Sequence, residues 1–176
     1  KELRRPLEIA IKKQKITVHT KVFAKGIEEN KDGSVDLLYT PKDAEEGTEP
    51  ERLTVDKVLV TVGRRPMSAA LAPTGVALDE RGFVKVNNKC ETNMKGVYAI
   101  GDVCDLGEML AHVASFQGEM VAEILAGHNR AYEPAAVPAI VFTEPEVVSV
   151  GLSPDEAKSA GHPVITGKFP LAANGR

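Results

Sequence analysis

The chain has 176 residues, 43% of them apolar and 27% charged, with a formal net charge of −3. That balance suits a globular protein of one domain or pieces of two, and it offers no basic field for nucleic acid or an acidic membrane surface. No apolar run approaches the roughly 20 residues needed to cross a bilayer, so no membrane partner is expected.

The sequence does not start with Met, and Lys1-Glu2-Leu3-Arg4-Arg5 is not followed by the apolar core of a signal peptide. Leu3, Leu7, Ile9, Ala10 and Ile11 read as the tail of a helix whose start is missing. Three extended segments are expected next, Ile16 to Phe23, Ser34 to Thr40 and Leu53 to Val62, with Asp32-Gly33 as a hairpin turn between the first two. Pro41 to Pro50, rich in Glu, Asp, Gly and Lys, is a solvated loop. Val58 to Val62 is a nearly continuous apolar run, as expected of a strand buried on both faces. It ends at Gly63-Arg64-Arg65-Pro66, where proline forbids continuation.

Further strands are expected around Phe83 to Val86 and at Val97 to Ile100. From Met109 to Ala126 apolar residues recur at helical spacing (Leu110, Val113, Ala114, Met120, Val121, Ile124, Leu125), and Gly127 stands where a left-handed cap would close the helix. Pro134 and Pro138 flank a linker, followed by strands at Ala139 to Phe142 and Val147 to Val150. Ser153-Pro154-Asp155-Glu156 is a helix start with Ser as N-cap, Pro at N1 and Glu at N3. That helix should end at Gly161, with a last strand at Val164 to Phe169. Segments that begin late and stop early suggest a piece of something larger.

The stretch Gly96 to His112 carries the chemistry. An apolar strand delivers Gly101-Asp102 at its end, and a helix begins near Met109. The crevice beyond strand ends is the usual binding place of an open α/β sheet. Gly101 lets backbone approach closely. An ionised Asp102 only accepts hydrogen bonds, so a ligand hydroxyl such as that of ribitol or ribose suits it. The helix start offers unpaired N–H groups and a positive dipole end. Asp102 as a plain turn or helix cap is the competing possibility.

Five segments occur in order over nearly the whole chain: Val60-Thr-Val-Gly-Arg-Arg-Pro66, Val97-Tyr-Ala-Ile-Gly-Asp102, Met109-Leu-Ala-His112, Phe142-Thr-Glu-Pro-Glu146 with Val150-Gly151, and Lys168-Phe-Pro-Leu-Ala-Ala-Asn-Gly-Arg176. In these the chain resembles the pyridine nucleotide-disulfide oxidoreductase family. Met109 to His112 and the closing segment resemble its dihydrolipoamide-oxidising branch rather than glutathione or mercuric reductases. The resemblance implies an α/β fold: parts of two Rossmann-like nucleotide-binding domains of the FAD/NAD(P)-binding type plus the start of an α+β dimerisation domain. It divides the chain into the end of an NAD-binding domain (1–66), the returning part of an FAD-binding domain (67–133) and the opening of a dimer-interface domain (134–176). It implies FAD at Gly101, Asp102, Met109, Leu110, Ala111 and His112, with Asp102 on the ribityl chain and the helix start against the isoalloxazine ring. A helix N-terminus at the ring's pyrimidine edge would stabilise the negative charge that reduction places there. It implies NAD at Gly63 and Arg64, although arginines after a strand, Arg65 included, more often form surface or interdomain ion pairs. Between Asp102 and Met109 the chain is one residue longer than the family's usual spacing, and Glu108 replaces a usual proline.

The parent so implied is a homodimer that oxidises dihydrolipoamide with NAD through FAD and a redox cysteine pair. It would serve the lipoyl domains of 2-oxoacid dehydrogenase or glycine-cleavage complexes, in bacterial cytoplasm or the mitochondrial matrix. The glycine-rich phosphate motifs, the Cys-x-x-x-x-Cys pair and the C-terminal His-Glu dyad are not in these residues. No catalytic or metal-ligating residue is therefore assigned, and the isolated chain is expected to be inactive. His19, His128 and His162 are read as surface or packing residues. Cys90 and Cys104 form neither a disulfide framework nor a metal-ligand spacing, which fits a reducing compartment, and Cys104 is read as a small buried thiol. Two alternatives remain at this stage: another FAD-dependent disulfide reductase, and a non-catalytic nucleotide-binding or interaction module.

Overall fold

The computed structural model describes residues 4–134, 136–170 and 173. The chain forms two compact units, residues 1–64 and 65–176.

The first unit opens with helix α1 (Arg4–Lys13), whose last turn carries Lys12 and Lys13 at the negative dipole end. Leu3 of the expected helix tail lies outside the described residues. A three-stranded antiparallel sheet follows in the order β1 (Val22–Glu29), β2 (Val35–Pro41), β3 (Glu51–Val55). The expected hairpin turn is present. Gly33 takes φ +86°, and Asp32 Oδ1 accepts from the Ser34 N–H at 3.0 Å and its hydroxyl at 2.7 Å. Half-buried polar groups knit the strands: Asp36 accepts from Asn30 Nδ2 at 3.1 Å, Thr54 Oγ1 at 2.7 Å and Arg52 Nη1 at 3.3 Å. These donors hold the Asp36 carboxyl below its ordinary pKa, the Thr54 hydroxyl most of all.

Two expected strands change their limits. Residues 16–20 are not extended ladder, because Lys21 adopts φ +58° and β1 begins only at Val22. The third strand stops at Val55 rather than Val62. Val55 pairs with Val35, the first residue of β2, and beyond Val35 lies the turn, so the ladder runs out of partners. Residues 58–62 join no strand among the described residues, and Leu59 and Val62 are 88% and 92% exposed instead of buried on both faces. A parallel strand needs neighbours distant in sequence, and none here supplies the hydrogen bonds.

The second unit starts with irregular backbone. The expected strand at Phe83 to Val86 is reduced to single bridges, Leu78 to Val84 and Val84 to Cys104, and that at Val97 to Ile100 to the bridge from Glu91 to Tyr98. Phe83 and Val84 are nevertheless buried, so the apolar pattern was right about burial while ladder partners are lacking. Helix α2 (Ala111–Leu125) buries Val113, Gln117, Met120 and Val121, and Gly127 (φ +93°) closes it as expected. It starts two residues later than the periodicity suggests, because Leu110 is still extended (φ −127°, ψ 136°). Met120 and Val121 pack on Cys90, ringed by Tyr98, Leu106, Ile124 and Tyr132.

Strands β4 (Pro138–Val141) and β5 (Val147–Val150) form an antiparallel hairpin with a cis Glu144–Pro145 bond in its connection. Helix α3 (Pro154–Ser159) carries the expected capping box: the Glu156 N–H donates to Ser153 Oγ at 3.3 Å, and the Ser153 N–H to Glu156 Oε2 at 2.8 Å. The strand expected at Val164 to Phe169 does not form; Ile165 is 99% exposed and no strand lies beside it among the described residues. Leu171, Ala172 and Asn174 to Arg176 of the closing motif lie outside the described residues.

Candidate functional site

The site is built where extended backbone turns into α2. Ile100 is extended, and Gly101 then takes φ +69°, a region costly for residues with a side chain. Gly101 also passes close to α2: a Cβ placed there would lie 3.0 Å from Ala114 Cβ. The close approach that the structure shows at Gly101 is to α2. Residues 101–103 form one turn of 3-10 helix, closed by the Cys104 N–H donating to the Gly101 carbonyl at 3.1 Å.

Asp102 sits half-buried in the middle of this turn. The backbone on both sides of it is held. The Gly101 N–H donates to Gln117 Oε1 at 2.6 Å, and the Val84 N–H to the Val103 carbonyl at 2.8 Å. Further on, Gln117 Nε2 donates to the Leu106 carbonyl at 2.6 Å, and the Val86 N–H to Asp105 Oδ1 at 3.0 Å. Asp102 is therefore presented by a loop clamped to α2 on one side and to residues 84–86 on the other.

The loop reaches α2 through Gly107 (φ +87°), where a Cβ would meet Tyr132 Oη at 2.7 Å. Leu110 occupies the N-cap without a side-chain acceptor, and the first turn carries no acidic residue. The leading N–H groups of a 15-residue helix thus have no side-chain cap, which suits an anionic or electron-rich ligand edge. Met109 and Leu110 are half-buried; Ala111 and His112 are exposed. His112 Nε2 lies 3.0 Å from the Pro138 carbonyl, and since a carbonyl only accepts, Nε2 carries the proton. Beside it an apolar cleft of about 540 Å³ is lined by Val113, Phe116, Tyr132, Pro134 and Pro138.

The predicted residues of the second unit are thus brought together around the turn and the start of α2. Gly63 and Arg64 belong to the first unit. Gly63 takes φ +128° with open space where a Cβ would stand, and Arg64 is exposed. Gln117, which organises the loop, is absent from the sequence-based candidates. Its signal was legible: it lies four residues after Val113 and four before Val121, a polar residue on the buried stripe of α2.

Both thiols are buried. Burial, with the Cys104 charge second, pushes the Cys90 thiol up to about 11. Burial also raises Cys104, with Asp105 and Asp102 adding to it. Neither has thiolate character near neutral pH, in keeping with a packing role. Among the described residues no group of His, Cys, Asp and Glu is arranged to hold a metal ion, and no helix is long and apolar enough to cross a membrane.

The family model of the pyridine nucleotide-disulphide oxidoreductases matches residues 1–118, and that of their dimerisation domain residues 137–176. The chain belongs to the pyridine nucleotide-disulphide oxidoreductase family. Similar curated members include the dihydrolipoyl dehydrogenases of Bacillus subtilis (41% identical over 94% of this chain and 34% of the relative), Pseudomonas aeruginosa (51% over 73% and 28%) and Trypanosoma brucei brucei (46% over 86% and 32%). The chain thus spans about a third of the length of the oxidoreductases it matches. Among solved structures, the HOCl-induced flavoprotein disulfide reductase RclA of Escherichia coli shares the fold with a TM-score of 0.82 at 24% identity, over 98% of this chain and 38% of that one. LpdA of Mycobacterium tuberculosis shares it with a TM-score of 0.77 at 22% identity, over 90% and 33%. The α/β class implied by the resemblance is that of this family, with a nucleotide-binding part followed by the start of a dimerisation domain.

Proposed function

We propose that the protein carrying this segment is a dihydrolipoyl dehydrogenase, which oxidises a dihydrolipoyl dithiol to its disulfide and delivers the two electrons and one proton to NAD as hydride, releasing the second proton. The observation that carries this proposal is the turn at Gly101-Asp102 clamped against a helix whose N-terminus has no side-chain cap, in a chain 41% identical to a dihydrolipoyl dehydrogenase over nearly its whole length. These residues fit FAD. Asp102 offers a carboxylate to a ribityl hydroxyl, and the first N–H groups of α2 offer donors and a positive dipole end to the pyrimidine edge. Met109, Leu110, Ala111 and His112 form the wall at that helix start. Bound flavin supplies the two-electron relay between dithiol and nicotinamide.

Gly63, without a side chain and with open space beside it, suits close approach of NAD, and Arg64 suits its phosphates. In this proposal residues 1–66 end the NAD domain, 67–133 return the chain through the FAD domain, and 134–176 open the interface domain of a homodimer. The partners are lipoyl domains of 2-oxoacid dehydrogenase or glycine-cleavage complexes, in bacterial cytoplasm or the mitochondrial matrix. No catalytic residue of the dithiol chemistry is assigned to this chain, and alone it is expected to be inactive.

The test uses the full-length protein. It should purify yellow, with a flavin absorption spectrum, and reduce NAD with dihydrolipoamide as donor. Asp102→Ala should lower its flavin content. A colourless full-length protein, or one that turns over glutathione disulfide or mercuric ion but not dihydrolipoamide, overturns the proposal.

A further inference from the structure

Gln117 is fully buried, a costly place for an amide unless every polar atom is paired. Both ends of its amide are used, at short range. Oε1 accepts from the Gly101 N–H at 2.6 Å, and Nε2 donates to the Leu106 carbonyl at 2.6 Å. An N–H only donates and a carbonyl only accepts, so these two partners also fix which way the amide points. The Cys104 thiol lies 3.8 Å from Oε1 and 3.3 Å from the Gly101 carbonyl, filling the space inside the loop.

One side chain of α2 thus grips the loop both before and after Asp102. The grip acts on the residue immediately preceding Asp102, at a glycine whose φ of +69° is set by the same turn. The helix that carries Gln117 is also the helix whose N-terminus faces the proposed ligand, so its amide sets the position of the carboxylate relative to those N–H groups. Gly101 and Ala114 add contact but no direction; the hydrogen bonds supply the register.

We propose that Gln117 is the positioning residue of the FAD half-site: its amide locks the Asp102 turn to α2, so that the ribityl acceptor and the helix N-terminus are presented to one flavin together. The inference rests on the FAD site under Proposed function. It does not follow from a packing role, which any side chain of that volume would fill.

The experiment compares full-length protein with Gln117→Met, similar in volume but without the amide, and Gln117→Glu, which keeps an oxygen for the Gly101 N–H. Each apoprotein is titrated with FAD by quenching of flavin fluorescence, and its melting temperature is recorded without flavin. Gln117→Met is expected to weaken FAD about ten-fold or more, the scale of one well-made net hydrogen bond. Gln117→Glu, titrated at about pH 5–6 so that its buried carboxyl stays protonated and can still donate to the Leu106 carbonyl, should recover most of that loss. Unchanged FAD affinity in Gln117→Met, even with a lowered apoprotein melting temperature, reduces Gln117 to packing and overturns the proposal. Equal weakening by both variants under those conditions overturns it too, since pairing the Gly101 N–H and the Leu106 carbonyl would not be what matters. Full-length protein that binds no FAD overturns the site itself, an outcome distinct from flavin-binding protein indifferent to position 117.

Discussion

The sheet of β1, β2 and β3 and the apolar segments at 58–62, 83–86 and 97–100 are equally strand-like in composition, yet only the first forms ladders. Its strands are antiparallel neighbours joined by a turn at Asp32-Gly33 and the loop from Lys42 to Pro50, so each finds its partner within a few residues. Of the other three, 83–86 and 97–100 meet nearby segments only at single antiparallel bridges, Leu78 to Val84 and Glu91 to Tyr98, too short to make a ladder. Residues 83–86 are also tied to the loop at 103–105, through the Val103 carbonyl and the Asp105 side chain, while 58–62 joins no ladder among the described residues. An antiparallel hairpin is complete in itself, whereas a strand of a parallel sheet depends on segments far along the chain.

The contrast can be broken at its points of support. The largest effect is expected for Gly101→Val. A side chain at φ +69° and 3.0 Å from Ala114 should destabilise the full-length protein by about 2–4 kcal/mol in denaturant unfolding and release flavin. A loss within error of zero would mean that this turn does not hold the loop to α2. Next comes Val60→Asp, expected to be nearly neutral in the isolated chain, where position 60 is exposed, but to lower the melting temperature of the full-length protein by several degrees. Equal effects in the two contexts would place 58–62 outside any sheet of the whole protein.

The thiols test the buried side of the comparison. With Cys90 at about 11 and Cys104 also raised, the folded chain binds their protons more tightly than the unfolded chain. That stability is fully present below the ordinary thiol range and lost as pH rises through it toward 11. Both cysteines should resist iodoacetamide in native protein at pH near 8 and react on unfolding; rapid native labelling would contradict their burial. In the first unit the sign reverses. The Asp36 carboxyl is held below its ordinary value, so its stability is present above about pH 4 and fades as pH falls through the folded value. Asp36→Asn should flatten that acid limb, followed by circular dichroism of the sheet. The smallest effect is expected at the α3 cap, where Ser153→Ala should cost about 0.5–1 kcal/mol by the same unfolding measurement.

Much of this protein was legible in its residues because the relevant physics is local. Asp32-Gly33 makes a hairpin, Gly127 ends α2, and Ser153 with Glu156 starts α3, because turns and caps are decided within four residues. The candidates from Gly101 to His112 came from strand-turn-helix order and from resemblance, and the structure gathers them at one turn and the start of α2. Tertiary structure alone decided the rest. It shows that Gln117, a polar residue on an apolar stripe, grips the Asp102 turn, and that His112 reaches the Pro138 carbonyl 26 residues away. It also shows that the apolar runs at 58–62 and 164–169 remain without ladders among the described residues. Propensity and periodicity describe what a segment can become, but a ladder or a buried amide needs a partner brought from elsewhere in the chain, and only the folded structure says which partner is there.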